Sequence, residues 1–155
     1  MDNITRSIYQ NYELERKKIL YQLTKEDLRQ SRMLCEPQLK RFDLMLTAER
    51  DHVIFSEVMA YGPYHPDVPP FDGADSFNQG SFLPTQRIDH AFRVFEYILI
   101  ADKMSIVPCG SKQGQFWTIY FEDVFIGVGS TIEIAICKAA IVTNNAIINK
   151  LNAVS

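Results

Sequence analysis

The chain has 155 residues, of which 46% are hydrophobic and 23% charged, and its formal net charge is −3. These totals fit one folded domain able to bury about two thirds of its unfolded surface, and they exclude wholesale disorder. A net acidic chain also argues against a general nucleic-acid binder. The charge is uneven: residues 1–50 carry ten Lys and Arg against eight acids, and residues 51–155 carry six against eleven. Such a bias can orient a partner, although solvated helix faces produce it too. Cys35, Cys109 and Cys137 are odd in number and far apart with no CxxC, which indicates neither a disulfide framework nor a zinc ribbon and fits a reducing cytoplasm. No basic-then-apolar leader and no run of about 18 apolar residues stands out, so neither secretion nor a membrane span is expected.

Taken in order, Ile4, Ile8, Tyr12, Ile19 and Leu23 recur at helical spacing and predict an amphipathic helix carrying Arg16, Lys17 and Lys18. Thr24 followed by Asp27 starts a second helix through Leu34, with Pro37 ending or kinking it. Gln38 to Tyr61 is the longest helical pattern, stopped by Gly62-Pro63; its apolar residues form no single stripe, so it is either buried on two sides or broken near Thr47. Tyr61 to Phe82 is rich in Pro and Gly, has no periodicity, and reads as a loop of unusual length. Its Tyr64, Phe71 and Phe77 are candidate partner anchors, or else pins that hold the loop to the core. Pro84-Thr85 opens a helix from Gln86 to about Ala101, and Ser105 to Cys109 is a short strand that Pro108 assigns to a sheet edge.

The stretch from Gln115 to Asn145 organises the fold. Phe116 to Phe121 and Val124 to Val128 are apolar runs separated by Glu122-Asp123, which predicts an antiparallel pair with Trp117, Ile119 and Phe121 on one face. Ser130-Thr131-Ile132-Glu133 reads as a capping box opening a helix of about five turns. Ala135, Ile136, Ala139, Thr143, Ala146 and Ile147 form one stripe of that helix, while Ile134, Ile141 and Ile148 lie on roughly the opposite side. A helix apolar on both sides is sandwiched. Either the N-terminal helices cover the second seam, or a symmetric dimer does.

Chemistry is thinly signalled. Asp51-His52 and Asp89-His90 place an acid beside a base, but neighbours on a helix diverge by about 100° and do not form an aligned dyad. The three histidines lack metal-ligand spacing, so no metal and no cofactor is expected. Cys137 reads as a packed thiol. Gly127, Gly129, Ser130 and Thr131 precede a helix N-terminus, where backbone amides can hold an anion or nucleotide phosphate; a tight strand-to-helix turn explains them as well. The basic residues Arg16, Lys17, Lys18, Arg29, Arg32, Lys40 and Arg41 are candidate contacts for an acidic protein surface, and less so for nucleic acid, since no aromatic stacking platform lies among them.

Several segments in order resemble the phage ABA sandwich domain, a family of small bacteriophage and prophage proteins. They are Asp51 to Tyr61 (DHVIFSEVMAY), Pro69-Pro70-Phe71, Ile88 to Tyr97 (IDHAFRVFEY), Trp117 within QFWTIYF, and Thr131 to Ala140 (TIEIAICKAA). The resemblance spans about residues 46–145 and departs at Ala60-Tyr61, at Phe92 and at Pro84 to Arg87. It leaves residues 1–45 as a helical extension to a domain over 46–155. Together with the strand pattern it implies an α+β fold: a small antiparallel sheet of about three strands flanked by helices as an α/β/α sandwich. It implies no activity. The expectation is therefore a non-enzymatic phage or prophage protein in the host cytoplasm that binds a host or phage protein, such as a defence complex. The rivals are a sponge for nucleotides or cyclic nucleotides and a small hydrolase built on Cys137 or His90.

Overall fold

The computed structural model describes residues 3–59, 82–111 and 114–154. Six α-helices and a three-stranded antiparallel sheet make up the described chain, an α+β fold with an N-terminal helical segment. α1 (Asn3–Gln22) and α2 (Lys25–Leu34) meet at Thr24, whose side chain accepts from the Asp27 amide while the Asp27 carboxylate accepts from the Thr24 amide. That reciprocal bond is the capping box expected there. α3 (Glu36–Leu44) takes Pro37 in its first turn, where a missing N–H costs nothing.

The long helical pattern that follows is broken. α3 stops at Leu44, and α4 (Thr47–Val53) runs into a π-helical segment, Ile54–Val58. Arg50 seals the break by donating from Nε to the Phe42 carbonyl at 2.8 Å and from Nη2 to the Asp43 carbonyl at 2.5 Å, which supplies donors to the last acceptors of α3. The expected loop from Tyr61 to Phe82, with Tyr64, Phe71 and Phe77, lies almost wholly outside the described residues. α5 spans Ile88–Ile98, shorter than expected because residues 84–86 form a turn held by Asp51.

β1 (Met104–Ser111), β2 (Gly114–Phe121) and β3 (Val124–Gly129) lie in the order β1-β2-β3. Pro108 sits in the edge strand β1, and α2 packs beside β3. Ile119 faces Gly127 whereas Tyr120 faces Phe125, so Ile126 is the extra residue of a bulge. The bulge resets the alternation. It turns Gly127 and Gly129 onto the face of Ile119 and Phe121, which is the buried one.

α6 (Ile132–Val154) packs on that face through β3 and β2, and on its other sides through α1, α2, α5 and the π-segment. By length and composition it is apolar enough to cross a membrane, but here it is the core helix. Its N-cap is Thr131, whose hydroxyl accepts from the Ile134 amide at 3.2 Å; the expected Ser130–Glu133 box gives way because the helix begins one residue later, at Ile132. Ile141 is 1% exposed within this one chain, and Ile134 and Ile148 are partly buried. The N-terminal helices therefore help cover the second seam. Ser31 donates to the Val142 carbonyl at 2.6 Å, Asn145 donates to Gln38 at 2.8 Å, Lys150 pairs with Asp27 at 3.2 Å, and Lys138 forms an ion pair with Asp43.

Candidate functional site

The basic residues separate once they are placed. Arg16 is 4% exposed, which overturns its expected place on an outward face. Its position falls between Tyr12 and Ile19 on the inward stripe of α1, so the guanidinium enters the core. Nη1 donates to the Tyr97 hydroxyl at 3.0 Å; Nη2 donates to the Val58 carbonyl at 3.1 Å and to Asn144 Oδ1 at 2.6 Å. Tyr97 donates in turn to Glu13 Oε2 at 2.6 Å, and Asn144 Nδ2 donates to the Glu57 carbonyl at 3.4 Å. One buried network thus joins α1, α5, α6 and the end of the π-segment. Arg16 and Asn144 supply donors to the Val58 and Glu57 carbonyls at the C-terminal end of the π-segment, where a helix leaves its last acceptors without an intrahelical partner.

Glu13 belongs to the same network and is also buried. Its Oε1 is a buried oxygen with no hydrogen-bond partner among the described residues, beside a cavity of about 10 Å³ that Lys17, Leu20, Ile98 and Ile147 help line. Burial raises the Glu13 carboxyl above its ordinary value, against the opposing pull of Tyr97, Arg16 and Lys17. The cavity has room for about one water molecule and no substrate.

Of the other basic residues named above, all but Arg32 point outward. Lys18 pairs with Glu15 and Arg29 with Glu26, both on exposed helix surface. Arg32 is held inward by an ion pair with Glu36 and lies 5.3 Å from the Phe125 ring centroid. Lys17, Lys40 and Arg41 are exposed. The same helices expose large apolar side chains: Leu14 and Tyr21 on α1, Met33 and Leu34 at the end of α2, and Leu44 and Leu46 around the α3–α4 break.

One member of each acid–base pair is tied into the fold. Asp51 is buried and accepts from the Thr85 amide at 2.8 Å, the Thr85 hydroxyl at 2.7 Å and Gln86 Nε2 at 2.7 Å, so it anchors the turn before α5. His90 Nδ1 accepts from the Leu83 amide at 2.8 Å, and its ring stacks on Phe82 with centroids 5.4 Å apart. Burial holds the imidazole below its ordinary value, against the attraction of Asp89. A base lowered on folding binds fewer protons than its unfolded counterpart, so its contribution to stability is complete above the unfolded value of 6.5 and is lost as pH falls through it. The urea midpoint is therefore expected to rise with pH from the lowered folded value up to the unfolded one. In His90→Phe that slope should flatten; an unchanged slope would assign it to other groups.

Cys137 is wholly buried and its thiol is pushed well up, as for a packed cysteine rather than a nucleophile. Among the described residues no group of three or more His, Cys, Asp or Glu could hold a metal ion. At the turn into α6, the hydroxyl of Thr131 is used by the Ile134 amide. A Cβ on Gly127 would stand 2.7 Å from the Ala135 carbonyl oxygen, and one on Gly129 would stand 2.6 Å from the Ala135 amide nitrogen. These glycines let helix backbone lie against strand backbone.

One larger pocket, about 100 Å³, opens between α3, the π-segment and α6 and is lined by Gln38, Arg41, Phe42, Met45, Val53, Glu57 and Ile141. Neither it nor the buried network was anticipated from sequence. The network had left a signal: a charge filling a gap in the apolar stripe of α1. The pocket had none, because it forms only where the break after α3 opens a gap against α6.

Searches of curated proteins and of solved structures returned no match. The sequence model of the phage ABA sandwich domain matches residues 52–141, from α4 into α6, which is more than half of the chain. The chain belongs to the phage ABA sandwich domain family.

Proposed function

We propose that this phage-family domain is a non-enzymatic accessory protein that binds a protein partner through its N-terminal helices, with a component of a host defence system as the expected class of partner. One observation carries the reading. α1–α3, all of which precede the matched region, lie against the rest of the fold yet, with the turn after α3, direct Leu14, Tyr21, Met33, Leu34, Leu44 and Leu46 outward beside Lys17, Lys18, Arg29, Lys40 and Arg41. Apolar side chains interspersed with cations suit an acidic protein surface. The described pockets also argue for a macromolecule: about 100 Å³ is a third of the roughly 300 Å³ at which small-molecule sites begin.

The test is a double variant, Tyr21→Glu with Met33→Glu, at two exposed positions where the fold tolerates charge. The wild-type chain is expected to co-purify from host cells with one stoichiometric protein, and the variant to lose it while melting at the same temperature. If no stoichiometric protein accompanies the wild type, or the variant keeps it, the reading fails.

A further inference from the structure

We propose that the pocket between α3, the π-segment and α6 receives a single aliphatic side chain of the protein partner, from a segment that places an acidic residue beside it. This rests on the protein-binding reading above and names the chemistry of the contact. Four of the seven lining residues are apolar: Phe42 from α3, Met45 just after it, Val53 from the end of α4, and Ile141 from α6. Cavities of about 150 Å³ lined by such residues hold a six-carbon ring, so about 100 Å³ suits a four-carbon side chain such as that of Leu or Ile. Gln38, Arg41 and Glu57 form the rim, polar groups that would stay wet around a dry centre.

Charge selects the neighbour of that side chain. The two acids of α3 are committed, Glu36 to Arg32 and Asp43 to Lys138. Lys40 and Arg41 are exposed and make no ion pair within 4.0 Å among the described residues. The α3 bank of the pocket therefore carries surplus positive charge, two cations against the Glu57 carboxylate on the facing bank, and the Arg41 guanidinium can take a carboxylate through two parallel bonds. Leu44, which is 86% exposed, and Leu46 flank the lining residue Met45 and extend the apolar area beyond the pocket. The walls are well supported. Asn145 fixes Gln38, Lys138 fixes Asp43, and Arg50 fixes the end of α3 against α4. A wall held from three sides offers a preformed site rather than one that must be opened.

The whole chain, carrying labelled methyl groups, is titrated with N-acetyl-leucyl-glutamyl amide and with its alanyl-glutamyl and leucyl-lysyl counterparts. The expected result is a saturable shift of the Met45, Val53 and Ile141 methyl signals with the leucyl-glutamyl peptide. The alanyl peptide, which buries three fewer carbons, should bind at least about tenfold more weakly, and Arg41→Glu should move the preference to the leucyl-lysyl peptide. No saturable shift, an equal response to the alanyl peptide, or indifference to Arg41→Glu would each overturn the proposal. Its failure is separable from that of the broader reading. If Met45→Trp, which fills the pocket from a partly exposed position, leaves a partner complex intact that Tyr21→Glu with Met33→Glu abolishes, the partner binds these helices without using the pocket.

Discussion

Replacing Arg16 with Met is expected to destabilise the fold by about 3–5 kcal/mol, the range for removing one member of a buried charge pair. The methionine keeps most of the volume but none of the donors. Val58 O and Asn144 Oδ1 lose their guanidinium bonds, and the buried Glu13 loses the positive charge that reaches it through Tyr97. A second variant separates these causes. Adding Glu13→Gln should recover part of the loss, because the carboxylate charge is then no longer buried without a counter-charge. The effect should also shrink in acid. Glu13 titrates above its unfolded value in the native protein, so the folded state takes up its proton first, and the cost of its ionisation appears only as pH rises through the folded value. Urea unfolding of the two single variants and the double variant, at acid and neutral pH, measures all of this. Additive losses, or a loss under about 1 kcal/mol for Arg16→Met, would show that the network is not what holds α1 in place.

The second large effect belongs to Gly127. In Gly127→Ala the new methyl would lie 2.7 Å from the Ala135 carbonyl oxygen and 2.9 Å from the Ala139 amide nitrogen. Both are main-chain atoms of α6, so no side chain can rotate away. Helix and strand must separate across the main packing surface, at a cost of about 3 kcal/mol, the upper part of the usual range for overpacking. Gly110→Ala on the edge strand is the control: its nearest neighbour is Gln115 Cγ at 3.3 Å, an atom of a flexible side chain rather than of the main chain, and a change within about 0.5 kcal/mol is expected. Thermal unfolding of the pair decides. If Gly127→Ala is as stable as Gly110→Ala, close backbone packing is not the reason for glycine at that site.

Most elements were legible in the sequence because each has a period. Ile119 and Phe121 turn the same way, as alternation requires, and the helix from Ile132 shows two apolar faces because it has neighbours on both. What escaped reading lacks a period. A π-segment disguises itself as more α-helix, so Ile54–Val58 merged with α4. The bulge at Ile126 shifts the alternation by one residue, so Gly127 and Gly129 read as a turn or an anion-holding stretch before a helix, with no sign in the sequence that both face α6. Arg16 stood beside Lys17 and Lys18 and looked like one more outward cation; only its helical phase distinguishes it. For the same reason the candidate surface was partly legible. Lys40 and Arg41 are outward as expected, while the pocket beside them depends on α3, the π-segment and α6 meeting across about a hundred residues of chain.

The central position of α6 has a further consequence, for the order in which the fold is acquired. Arg16 meets Asn144 across 128 residues and Ser31 meets Val142 across 111. Contacts so distant in sequence close very large loops, whose entropy is lost before the contact returns anything, and folds rich in them form slowly. Until α6 exists, α1 and α2 lack most of the surface they lie on. In that interval the local bonds must preserve their shape unaided: the reciprocal cap at Thr24 and Asp27 and the Arg29–Glu26 pair, which need only their own few residues.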